Sequence, residues 1–99
     1  MHNLTTLSTF LRKLGSISVL LNSMQNRQVA YYLAQQVKFA SNFVNTDFQD
    51  IADTVADYVA HAEPDDFCPE DIKRLNTLGI ILQDVNVLLH KVQDKFLAA

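Results

Sequence analysis

Asp53, Asp57 and His61 follow one another at intervals of four residues, and on a helix that spacing turns two carboxylates and an imidazole to one side. Pairs of this kind bind transition metals when a facing helix completes the set. Nothing in the rest of the chain completes it. His90 stands alone in the C-terminal third, no Glu-x-x-His motif occurs, and Asp65-Asp66 lacks the spaced oxygen pattern of a calcium loop. No metal and no cofactor is expected, and His2, His61 and His90 read as surface or helix-end residues. Cys68, the one cysteine, cannot form an internal disulfide, which points to a reduced, cytoplasmic setting. A helix beginning at Pro69 would favour its thiolate, while Asp66, Glu70 and Asp71 would oppose it. The chain also lacks a glycine-rich phosphate loop, a nucleophile elbow, a CxxC motif and a carboxylate pair spaced across a cleft. It is not expected to be an enzyme.

The acids and bases are sorted into blocks. Residues 1–46 carry four bases (Arg12, Lys13, Arg27, Lys38) and no acid, residues 47–71 carry nine acids and no base, and residues 72–99 carry four bases and two acids. A net charge of −3 conceals this segregation. At 100° per residue, Asp47, Asp50, Asp53 and Asp57 fall on one face of a helix, opposite its apolar stripe. Glu63, Asp65, Asp66, Glu70 and Asp71 continue the sign into the next segment. The plain reading is a solvated face. Solvated helices, however, usually interleave a base at i+4, whereas like charges at that spacing cost a few tenths of a kcal/mol per pair. The sharper reading is a docking surface for a partner protein with a basic surface, made by Asp47, Asp50, Asp53, Asp57, Asp65 and Asp66. Its extreme form is a mimic of nucleic-acid phosphates that inhibits a nucleic-acid-handling complex. Direct nucleic-acid binding is not expected. The pairs Arg12-Lys13 and Lys73-Arg74, with Arg27 and Lys38 beside Tyr31 on the second helix, make a thin basic footprint, and the pI is near 5.4.

These groups have to be positioned by helices, because apolar residues recur everywhere at helical spacing and nowhere alternate as in a strand. Leu75, Leu78, Leu82, Val85, Leu89, Val92 and Phe96 form a 3-4-3-4 stripe, widened by Ile72, Ile81 and Leu88, which predicts a helix over 69–97 with Pro69 in its first position. Thr46 to Gln49 has the spacing of a capping box and opens a helix to about Ala62, with Phe48, Ile51, Ala52, Val55, Val59 and Ala62 inward. A helix from Asn26 or Arg27 to about Val44 buries Val29, Leu33, Val37, Ala40 and Val44, flanked by Tyr32, Phe39 and Phe43. One from Leu4 or Thr5 to Asn22 buries Leu7, Phe10, Leu11, Leu14, Ile17 and Leu21, with Gly15 marking a bend or a close helix contact.

Short connections make neighbours antiparallel, so the expected fold is a single all-α domain over 1–99, an antiparallel up-down-up-down four-helix bundle. The last helix is too long for the others. It must bend or break near Gly79, or project and pack on something. Ile80 and Val87 share a face of that helix away from its main stripe, and with Phe96 they form a candidate apolar patch for a homodimer. No run of about 20 apolar residues is present, so no membrane span is expected. Met1–Phe10 lacks a basic start ahead of an apolar run, so no secretory signal is expected either. The expected function is non-catalytic: a small cytoplasmic regulator, inhibitor or adaptor that binds protein through its acidic third helix. The alternative is a homo-oligomeric structural or assembly protein built on the last helix.

Overall fold

Leu75, Leu78, Leu82 and Val85 are fully shielded from solvent, and the helix that carries them is the spine on which the others pack. A computed structural model of the chain describes the backbone of residues 2–42 and 48–98 and the side chains of residues 7–40 and 48–91. Four helices follow in order, α1 (His2–Ser23), α2 (Arg27–Asn42), α3 (Phe48–Ala60) and α4 (Pro69–Ala98), with no strand among the described residues. α4 packs on α1 and α3, α2 packs more lightly on the same two helices, and the α3–α4 and α1–α4 faces are the larger.

Each helix contributes a strip of the predicted kind. Ile17 and Leu21 of α1, Leu33 and Ala40 of α2, and Phe48, Ile51, Ala52 and Val55 of α3 close around the α4 stripe. Phe10 meets Phe48 edge to face with ring centroids 6.3 Å apart. The Thr46–Gln49 capping box begins outside the described residues, as do Phe43, Val44 and Asp47. Leu11 departs from expectation. It is 57% exposed, because it sits one step off the 7-10-14-17-21 spacing that faces α4. Gly15 does not mark a close helix contact, since a Cβ there would meet nothing within 4 Å, and α1 runs through it without a break.

α4 is one uninterrupted helix of 30 residues through Gly79, about 45 Å long at 1.5 Å per residue. The molecule's longest dimension is 50 Å against 20 and 18 Å across. No helix among the described residues is long and apolar enough to cross a membrane.

Two charged side chains close the α1–α2 turn. α1 ends at Ser23 and α2 begins at Arg27, which leaves unbonded carbonyls on one side of the turn and unbonded N–H groups on the other. Arg27 Nη1 folds back to donate to the carbonyls of Leu21 (3.0 Å), Asn22 (3.2 Å) and Met24 (3.2 Å). Asn26 is the N-cap, its Oδ1 accepting the Val29 N–H at 3.0 Å. The remaining donors, Gln25 N and Asn26 N, both bond the carboxylate of Asp71 at 2.9 Å, and Arg74 Nη1 bonds the same carboxylate at 2.8 Å. Asp71 is fully buried. The expectation that it extends the acidic surface is therefore corrected: it lies on the inward stripe, four residues before Leu75, and serves as a cap for another helix.

The loop before α4 is tied to the same place. Asn26 Nδ2 donates to the Asp66 carbonyl at 2.8 Å, and the Glu63 carbonyl accepts from Asp66 N and Phe67 N. Buried Phe67 packs on Tyr58, and the Cys68 carbonyl accepts from Ile72 N, which places Pro69 in the first helical position as expected.

Burial alone would raise the Asp71 carboxyl, but the two backbone N–H donors and Arg74 outweigh it and hold its pKa below the usual carboxylate value. A carboxyl depressed in the folded state contributes stability that is complete above its unfolded pKa, near about 4, and lost as pH falls through the folded value. Asp71→Ala should cost about 3 kcal/mol, with Asp71→Asn intermediate. Thermal unfolding should show the wild-type advantage over Asp71→Asn shrinking below about pH 4. Gly15→Ala should instead stabilise the protein by about 0.5–1 kcal/mol, seen as a rise of several degrees in Tm.

Candidate functional site

The outward face of α3 carries three carboxylates because its inward face is fully occupied by Phe48, Ile51, Ala52 and Val55. Asp50, Asp53 and Asp57, spaced 3 and 4, point away from that strip and are exposed. Asp50 lies in the first turn, where the positive helix end favours an acid. Asp53 accepts a hydrogen bond from Gln49 Nε2 at 3.0 Å, a local contact that leaves its charge uncompensated. Asp65 and Asp66 are exposed in the turn between α3 and α4. Because the Asp66 carbonyl is held inward by Asn26, its side chain faces out. Asp47 lies outside the described residues.

Between α2 and α3 a groove of about 370 Å³ brings Asp57, His61 and Asp66 together with Asn26, Gln28 and Tyr58. This grouping joins two parts of the acidic block that the sequence shows only as neighbours in number. Burial first, and the nearby Tyr32 second, push the Tyr58 hydroxyl above its ordinary pKa, so it stays a neutral donor beside the acids. His61 Nδ1 lies 3.0 Å from the Asp57 carbonyl. A carbonyl only accepts, so Nδ1 carries the proton and is withdrawn from any ligand role. Asp53, Asp57 and His61 are not gathered into a cluster: the described residues contain no group of three or more His, Cys, Asp or Glu able to hold a metal ion.

Three of the cations that might have crossed the acidic face are engaged elsewhere. Lys13 pairs with Asp84 at 3.4 Å, Arg74 with Asp71, and Arg27 with the carbonyls that end α1. Arg27 is exposed, as are Lys38 and Tyr31 on the same helix, but its guanidinium turns back over the end of α1. Among the described residues no Lys or Arg nitrogen comes within 4.0 Å of the carboxylates of Asp50, Asp53, Asp57, Asp65 or Asp66. The face is anionic and open.

The apolar candidates are equally open. Ile80 is 63% and Val87 54% exposed on α4, and the side chain of Phe96 lies outside the described residues. Two polar groups lie inside the fold where the sequence reading put none. One is Asp71. The other is Asn86, whose buried Oδ1 has no hydrogen-bond partner among the described residues.

No family model, curated protein or solved structure matches this chain.

Proposed function

We propose that the chain is a non-catalytic protein-binding module, a small cytoplasmic regulator, inhibitor or adaptor that docks a basic partner on the acidic face of α3 and the turn behind it. The observation that carries this reading is that no Lys or Arg among the described residues pairs with those carboxylates, while Arg27 and Arg74 are held by backbone carbonyls and by Asp71. Exposed like charges at 3- and 4-residue spacing cost stability, and a complementary surface repays that cost through steering and register. Asp50, Asp53, Asp57, Asp65 and Asp66 make the contacts, and the groove at Asp57, Tyr58 and Asp66 accepts a lysine or arginine side chain. A partner that otherwise holds nucleic-acid phosphate would present such a surface.

In the same proposal the four helices alternate in direction. The short connections support this, as do the two places where α1 and its turn touch α4, Lys13 on Asp84 and Asn26 on Asp71. The 50 Å length favours an α4 that projects over one bent at Gly79.

Retention of a basic partner from lysate at low ionic strength, and its release at high ionic strength, is the expected behaviour. Charge reversal by Asp53→Lys with Asp57→Lys should weaken that binding by about tenfold or more and leave the circular dichroism spectrum unchanged, since both residues are exposed. Binding that survives both the salt and the reversal would remove the acidic face from the mechanism.

A further inference from the structure

Leu11, Gly15, Ser18 and Asn22 recur at helical spacing along α1, on the side turned toward α2, and all four are exposed. α2 packs only lightly on α1, and a groove of about 350 Å³ stays open between them. Leu14, Ile17 and Leu21 of α1 and Ala34 and Val37 of α2 make its apolar lining. Ile17 and Leu21 are fully packed, but Leu14, Ala34 and Val37 are only half-buried, so aliphatic surface is left uncovered along the groove. Gly15 adds no side chain to close it, and Leu11 carries the apolar surface one turn further.

The polar lining is Ser18, Asn22 and Lys38. None of these three side chains has a hydrogen-bond or ion-pair partner among the described residues. Neither α1 nor α2 carries an acid, and Asp84 is held by Lys13 on the α4 side of α1. The charge of Lys38 is therefore unanswered, whereas the α2–α3 groove holds Asp57 and Asp66. A lysine on the edge of an aliphatic groove, with a hydroxyl and an amide beside it, complements a molecule that is apolar along its length and anionic at one end.

We propose that the α1–α2 groove binds a single-chain fatty acid, its carboxylate at Lys38 and its tail over Leu14, Ala34 and Val37 toward Leu21. Lys38 and Leu14 lie far from the α1–α2 turn and Leu21 lies beside it, so the tail points toward the turn. Leu14 to Leu21 spans about 10 Å at 1.5 Å per residue, which suits a medium-chain tail such as that of decanoate. The volume is at the lower end for small-molecule sites and leaves no room for a second acyl chain. No described residue of α3 lines this groove, so this assignment and the acidic docking face can fail independently.

Isothermal titration of the full chain with decanoate, kept below its micelle concentration, should show saturable binding. Affinity should rise about twofold per methylene from hexanoate to decanoate, less than for complete burial because the groove is open on one side. Decan-1-ol, with the same tail and no charge, should bind about tenfold more weakly, as should decanoate to Lys38→Glu. Ser18→Phe fills the groove from an exposed position and should abolish binding with an unchanged circular dichroism spectrum. Ala34→Leu should do the same from the opposite wall. No saturable binding, affinity indifferent to chain length or to Lys38→Glu, decan-1-ol binding as tightly as decanoate, or binding that survives both groove-filling variants would each overturn the assignment.

Discussion

Between Ser23 and Arg27 the chain reverses direction, and the backbone groups exposed by that reversal are closed by opposite charges drawn from two different helices. Arg27 answers the carbonyls that end α1, and Asp71 of α4 answers the amides that open α2. Both contacts follow the helix dipoles, a cation at a C-terminus and an anion at an N-terminus. Because Asp71 belongs to α4, the α1–α2 hairpin is anchored to the spine of the fold by a buried ionic contact. The Asn26 bond to the Asp66 carbonyl then anchors the α3–α4 loop at the same point. A carboxylate with no solvent exposure is tolerated only because three donors surround it.

That arrangement also shapes the surface. Of the nine acids between positions 47 and 71, Asp71 is taken inward, and the two guanidinium groups near it are taken with it. The exposed acids on α3 and in the 64–66 turn are left without the neighbours that would have quenched them. The structural clip and the open anionic face are thus two results of one distribution of charges.

The helices were readable from apolar periodicity to within a few residues at every described boundary. The reason is physical: the 3-4 stripe from Leu75 through Val85 has no interpretation except a helix buried along one side. Pro69 marked the start of α4 for an equally local reason. What periodicity hid was polar. Asp71 was taken for surface because it ends a run of acids, although its place four residues before Leu75 and seven before Leu78 puts it on the inward stripe. The partners of the exposed Arg27 were hidden as well, because a long side chain that folds back over the preceding helix end leaves no periodic trace. Met24, buried to 3%, plugs the turn for reasons that only the tertiary contacts reveal. Which of the acids share a groove, as Asp57 and Asp66 do, likewise depends on how the loop folds back.

The gathering of exposed carboxylates on one face has a consequence for handling the molecule. A net charge of −3 predicts adsorption to anion-exchange resins. Because Asp50, Asp53, Asp57, Asp65 and Asp66 are exposed on α3 and the turn behind it, the molecule should settle on a positively charged matrix in one orientation, with that face against the resin and the opposite side toward the buffer.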